Sequence, residues 1–352
     1  MATRLSHSAV RTYTECGQKY KHHYINKYRN RKFGAALAFG TAVDEGIKTL
    51  LHTKDLTKAK AVFVDFWSKQ KVYNNVVELK EYEWLRYSES DYDDEILDDD
   101  DRWYILAKSI EYNLSPEALI EKKEEFGYPG FSEEETKFYN LINWVSLRKK
   151  GFLMMEAFQQ RVLHKITKVH SIQEKSELTN EEGDVIVQYS DLIVELDDGK
   201  NYLLDVKTST KRFQEDSAGF SQQLIVYYHT NKDKYSLAGV GFIVLQKIIK
   251  KDKTKTCPNC SKVMEKGARH TKCPNCSTVL NVKTKLSCNV EIILDKVSEE
   301  AENLVMATFD EANEGIKSGN FYKNLSACRQ GPIICPFFEL CWKGDKKDII
   351  DV

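Results

Sequence analysis

The sequence predicts an α/β protein: a central mixed sheet flanked by helices, with a helical insertion and an inserted cysteine module. Three observations predict it. Strand character begins near Val169 and recurs at 184–196, 201–207, 238–250 and 285–294, with helical periodicity before, between and after these strands. The strands at 184–196 and 201–207 are joined by Asp197-Asp198-Gly199-Lys200, a tight-turn sequence. Two CPNCS segments then interrupt the strand pattern.

In chain order, Ser6 and Ser8 stand where a serine caps a short helix whose apolar face includes Val10, Tyr13 and Tyr20. A second helix is read over 39–51. Helical spacing continues over 56–88, with Ala61, Phe63, Val64 and Trp67 apolar. The acidic run 89–101 reads as a solvated loop. Residues 134–165 read as helix, where Met154-Met155 fills core space. A helix over 217–230 follows the hairpin, and a charged helix opens at Val297-Ser298-Glu299-Glu300 and runs to 317. The last thirty residues are short, cysteine-bearing and irregular. No repeat or low-complexity tract is visible.

The chain has 352 residues, which suits one large domain with insertions or two domains. Its 52 Lys+Arg and 53 Asp+Glu leave a net charge of −1, so any nucleic-acid contact needs a local basic patch. Residues 19–32 and 247–255 supply candidates. No apolar run reaches 18 residues, so no membrane helix is expected. The first residues lack the apolar core of a signal peptide, and nine cysteines with CxxC spacing fit a reducing, cytoplasmic compartment.

The chemistry concentrates in the hairpin. Side chains two apart on a strand share a face, so Asp205 and Lys207 lie together with Leu203, while Val206 points to the core with Leu204. Charges there are costly unless paired or metal-bound. Asp191 on the adjoining strand offers a second carboxylate, and such oxygens suit Mg²⁺ or Mn²⁺. A metal would acidify a bound water and neutralise phosphate charge, and Lys207 would orient the attacking water. A salt bridge at a strand end is the plain structural alternative. Gln223 and Tyr227, four apart, share one face of the next helix.

With these residues the chain resembles the PD-(D/E)xK nucleases, in particular the RecB-like exonuclease branch with its Cas4-type and AddB-type members. The resemblance covers roughly 5–50 and 185–345 and implies a restriction-endonuclease-like core. By resemblance Asp191, Asp205, Lys207, Gln223 and Tyr227 occupy motif positions, and the Val206 carbonyl is a metal contact. In Gly40-Thr41-Ala42-Val43-Asp44, Asp44 stands where the branch has a histidine ligand, with Glu45 beside it. Residues 51–168 match no motif and are expected to form a helical insertion shaping the DNA path. His164, His170 and His229 read as surface or satisfied core residues.

Two cysteine systems remain. Cys257, Cys260, Cys273 and Cys276 form two CxxC knuckles 12 residues apart, the pattern of a tetrahedral Zn²⁺ ribbon, complete without His270. Cys16 with Cys328, Cys335 and Cys341 resembles the clamp in which one early and three late cysteines hold a 4Fe–4S cluster; zinc or unliganded thiols are the alternatives. Its role would be structural. Cys288 reads as a buried thiol.

The domain reading is 1–50 as the first part of the core, 51–168 as helical insertion, 169–250 as catalytic core, 251–283 as ribbon and 284–352 as the remaining core with the clamp. The functional expectation is a Mg²⁺- or Mn²⁺-dependent DNase, a single-strand exonuclease leaving 5′-phosphates in recombination, repair or phage DNA metabolism. No G-x4-GK[ST] motif is present, so any helicase or recombination protein would be a separate partner. The alternatives are a non-catalytic DNA-binding or assembly subunit and a structure-specific or RNA-directed nuclease.

Overall fold

The computed structural model describes residues 3–30, 35–69, 133–180, 182–264, 271–330, 333–347 and 349–351. In chain order these form β1 (Arg4–Leu5), α1 (His7–Glu15), α2 (Gly17–Tyr20) running into a π-turn over Lys21–Ile25, β2 (Tyr28–Asn30), α3 (Ala35–Thr53), α4 (Leu56–Lys69) and α5 (Glu133–Arg161). Then come β3 (Ile166–Thr179), β4 (Val185–Leu196), β5 (Asn201–Ser209), α6 (Gln222–Tyr235), β6 (Leu237–Thr256), β7 (Asn281–Asp295) and α7 (Glu299–Lys317). The C-terminal part holds β8 (Arg329–Gln330), β9 (Ile333–Ile334), α8 (Phe338–Lys343) and β10 (Ile349–Asp351). Residues 70–88 of the expected helix, the acidic run 89–101, Arg31, Lys32 and His270 lie outside the described residues.

The main sheet has the order β1-β4-β5-β6-β7, with β3 also paired to β4. It is mixed: β1 runs parallel to β4, whereas β3 and β5 are antiparallel to it. The chain divides into two compact units. One comprises Met1–Phe33, Gln160–Leu245 and Val290–Val352; the other comprises Gly34–Gln159 and Gln246–Asn289.

In the first unit, α1, α6 and α7 pack on one sheet face. Val10 and Tyr13 of α1, Leu224 and Val226 of α6, and Val305 and Phe309 of α7 meet Ile193, Leu203, Val240 and Val244 in one buried cluster. Each large apolar side chain so buried contributes about 1.5–3 kcal/mol. Helix starts follow their caps. Ser6 Oγ accepts from Ala9 N at 3.2 Å, and Ser298 Oγ accepts from Ala301 N at 3.1 Å. Glu299, Glu300 and Glu302 in the first turn of α7 suit the positive end of its dipole. Buried Asp184, at the head of β4, accepts from Thr3 N, from Asn313 Nδ2 and from Lys317 Nζ, tying the first residues to α7. These donors, Lys317 first, hold its carboxyl well below the usual carboxylate range.

In the second unit, α3, α4 and α5 pack through Phe39, Phe63, Trp67, Met154 and Phe158, all fully buried. Met154 and Met155 therefore fill core space, as their sequence context indicated. The crossings are close: a Cβ at Gly151 would fall 2.3 Å from Phe63 Cζ. Phe39 meets Phe63 and Trp67 edge-on at 6.1 and 5.9 Å.

Several boundaries differ from the sequence reading. The helix placed at 217–230 spans Gln222–Tyr235, because Ser221, not an earlier residue, is its cap. α3 starts earlier and ends later than 39–51. β6 and β7 reach Thr256 and back to Asn281 through lysine- and threonine-rich stretches. Pairing sustains them there, where no apolar face marks them. Val206, placed in the core by alternation, is only half-buried.

Candidate active site and cysteine centres

The hairpin that carries the acids is built by its turn. Gly199 adopts φ +74°, and Leu196 N donates to Lys200 O at 3.0 Å. Lys200 N donates to Asp198 Oδ1 at 3.1 Å, and Tyr202 Oη to Asp198 Oδ2 at 2.8 Å. This fixes the register, with Ile193 opposite Leu203 and Leu192 opposite Leu204. Asp191 and Asp205 are the next residues on their strands, on the face of Ile193 and Leu203 that meets the α1–α6–α7 layer.

Asp205 is 1 % exposed, a depth at which a carboxylate needs partners. Lys207 Nζ lies 2.7 Å from Asp205 Oδ2, but not in hydrogen-bond geometry, so Oδ2 is a buried oxygen without a directed donor. Gln223 links the group. Its Nε2 donates to Asp205 Oδ1 at 3.4 Å and to Tyr227 Oη at 3.3 Å, and its Oε1 accepts from Lys207 Nζ at 3.3 Å. The shifted start of α6 makes this possible: Ser221 Oγ accepts from Leu224 N, which places Gln223 in the first turn with Tyr227 one turn on. Burial raises the Tyr227 phenol, and the charges of Asp191 and Asp205 raise it further, against the Gln223 hydrogen bond. Asp191 and Asp205 thus act on one phenol from neighbouring strands. His7, in the first turn of α1, is lowered to about 4 by burial, then by Arg11 and Lys207. Nothing in the sequence linked His7 to Lys207; only the fold brings α1 to this end of β5.

Asp44 belongs to the second unit, on α3, where its Oδ2 lies 2.5 Å from Lys48 Nζ. Lys48 also reaches Glu45 Oε1 at 2.7 Å. Burial pulls the Lys48 amine down, but these two carboxylates outweigh it and raise it.

A model of the PD-(D/E)XK nuclease superfamily matches residues 4–341. The chain belongs to that superfamily. No curated protein matches it. The mixed sheet flanked by helices is accordingly a restriction-endonuclease-like fold. Superfamily membership implies a nuclease that uses a divalent metal. The residues fit such an ion, since Asp191 and Asp205 offer oxygen donors and Asp205 Oδ2 lacks a directed donor.

The four ribbon sulfurs of this nuclease-superfamily chain all lie within 4.8 Å of one another. Cys257 and Cys276 are 3.4 Å apart and Cys260 and Cys273 are 3.6 Å apart. A tetrahedral ion with bonds of ~2.3 Å wants about 3.8 Å between sulfurs, so the set is nearly preformed. The knuckles repeat each other. Ser261 and Ser277 adopt φ +55° and +59°, and Thr256–Val263 and Lys272–Val279 form matching bridges. Hydrogen bonds from Thr278 lower the Cys276 thiol to about 6. A backbone contact at Lys262 pulls Cys260 down, but neighbouring sulfurs push it up to about 11, crowding that a cation would relieve. The ribbon's own core is small: Cys257, Met264, Cys273 and Leu280.

Cys16, Cys328, Cys335 and Cys341 line one cavity together with Lys19 and Lys323. Stitching between the N- and C-terminal segments builds it. Gln18 N donates to Tyr322 O at 2.9 Å, Asn324 Nδ2 to Glu15 O at 2.9 Å, and Tyr322 Oη to Thr14 O at 2.9 Å. β10 pairs with β2. Among the described residues these sulfurs do not close into a single-ion group as the ribbon's do. Burial raises Cys335 and takes Cys341 up to about 11. His22, in the π-turn, sets Nε2 3.3 Å from Cys341 Sγ, an arrangement the sequence reading missed. Its lone signal was a histidine six residues after Cys16.

His170 pairs with Asn201 at 2.8 Å, His229 with Glu302 at 2.5 Å, and His164 is exposed. Cys288 is fully buried and pushed up to about 12. Among the described residues no helix is long and apolar enough to cross a membrane.

Proposed function

We propose that this chain is a DNase of the RecB-like branch, acting as an exonuclease on single-stranded DNA and leaving 5′-phosphates. The reading rests above all on the linked group Asp205–Lys207–Gln223–Tyr227 beside Asp191. In it Asp191, Asp205 and the Val206 carbonyl would hold Mg²⁺ or Mn²⁺. Such an ion, when bound, would supply an acidified water and charge neutralisation at the phosphate. Lys207 would orient the attacking water and stabilise developing negative charge. Gln223 fixes the Lys207 ammonium relative to Asp205, and Tyr227 fixes Gln223. The ribbon cysteines would hold Zn²⁺, and Cys16, Cys328, Cys335 and Cys341 a structural 4Fe–4S cluster. We read residues 51–168 as an insertion shaping the DNA path and a separate helicase or recombination protein as the functional partner.

The test is cleavage of end-labelled single-stranded DNA with Mn²⁺ or Mg²⁺ by anaerobically purified protein, against Lys207→Ala. Metal-dependent cutting that the variant loses supports the reading; equal cutting by both refutes the assigned site. Circular single-stranded DNA separates exo- from endonuclease action. One observation favours a non-catalytic binding subunit instead: Asp44, which stands where the branch has a histidine ligand, is paired with Lys48 Nζ. No cutting by folded, iron-loaded wild type would refute the nuclease reading and favour that second one.

A further inference from the structure

We infer that the zinc-ribbon arm of residues 247–285 is a nucleic-acid grip that binds the phosphate backbone of the substrate strand. The inference rests on the nuclease reading for the identity of that strand. The chain as a whole carries a net charge of −1, yet this segment holds eleven Lys and Arg against two acids, Asp252 and Glu265. A zinc tetrathiolate subtracts two charges and leaves the arm strongly positive. So dense a single-sign charge in a small module costs self-repulsion, which a polyanion relieves. The arm has little else to do for stability, since its described core is Cys257, Met264, Cys273 and Leu280.

The placement fits a backbone contact. Lys250 near the end of β6, Lys262 in the first knuckle and Lys272 before the second are all exposed. Lys262 Nζ donates to Asn275 Oδ1 at 3.1 Å, so one knuckle's cation is steadied by the other knuckle. The metal holds the two knuckles, and hence their lysines, at fixed separation, which reduces the ordering cost of binding. The arm also exposes Val263 and Val279 at equivalent knuckle positions. A protein partner is therefore the rival occupant.

The test is fluorescence anisotropy of a labelled single-stranded oligonucleotide with full-length, zinc-loaded protein, without added Mg²⁺ or Mn²⁺, across a KCl series. Wild type is compared with the triple change Lys250→Ala, Lys262→Ala and Lys272→Ala, and with the same three positions as Arg. Each released phosphate contact is worth about 0.7 in the slope of log K against log salt for single strands, so the Ala variant should be shallower by about 2. Between 50 and 200 mM salt that is about a 20-fold smaller loss of affinity. The Arg variant should keep the wild-type slope. Lys250→Gln alone lies outside the knuckles and should lower the slope by about 0.7 whether or not the triple variant retains zinc. Coincident slopes for wild type and Lys250→Gln, and for wild type and a zinc-retaining triple Ala variant, overturn the inference in favour of the protein partner. Binding is read without the catalytic metal, so the two readings fail separately. Separated slopes with no cutting sink the nuclease reading alone, and cutting with coincident slopes sinks the grip alone.

Discussion

Gln223 is the residue whose removal tests the proposed site most sharply. It contacts Asp205, Lys207 and Tyr227 at 3.3–3.4 Å, at the long end of hydrogen bonding. Bonds to charged groups are worth about 1.5–3 kcal/mol at good geometry, so these long ones contribute less, about 1.5–3 kcal/mol together. If that energy positions Lys207 for the transition state, its loss lowers kcat about 10- to 100-fold. Global stability should fall by about 1–3 kcal/mol in both variants, because the buried Asp205 carboxylate loses its Gln223 donor. The assay is steady-state cleavage of end-labelled single-stranded DNA in Mn²⁺ by Gln223→Ala and Gln223→Met, with urea unfolding of both. Met keeps length and packing but removes both polar atoms. Equal losses in the two variants support the positioning role. Wild-type kcat in Gln223→Met would refute it, leaving Gln223 a helix-face residue near the sheet.

Other outcomes follow from the same structure. The folded-state value of His7, about 4, lies below its ordinary 6.5, so the unfolded chain binds the extra proton. Its contribution is complete above pH 6.5 and lost as pH falls toward 4. Urea midpoints should therefore drop by about 2–3 kcal/mol equivalent over that window, less in His7→Gln; parallel curves would exclude His7 as the cause. A Cβ at Gly17 would lie 2.7 Å from Tyr322 N, a backbone atom that cannot rotate away. Gly17→Ala should cost about 1–3 kcal/mol and lower iron content, seen by melting and iron analysis. Chelating zinc should abolish amide protection over 257–264 and 271–280 while α6 and the β4–β5 hairpin keep theirs, read by hydrogen exchange. Retained protection in the ribbon would show that its apolar core suffices.

The sequence by itself determined the parts governed by short-range rules. Alternation and a glycine turn made β4 and β5 adjoin, and period two put Asp205 and Lys207 on one face. Helical spacing put Gln223 and Tyr227 together even though the helix begins five residues later than expected, because any α-helix brings i and i+4 together. The CxxC spacing likewise gathered the four ribbon sulfurs. What only the tertiary structure decided involves distant partners. The packing of α6 on β5 gives Gln223 its reach to Asp205 and Lys207, and α1 packing carries His7 to the field of Lys207. The stitching of residues 14–18 to 322–324 closes the cavity of Cys16 and the late cysteines, with His22 against Cys341. These contacts span up to about three hundred residues of chain. No local period encodes them, and burying the shared core is what selects them.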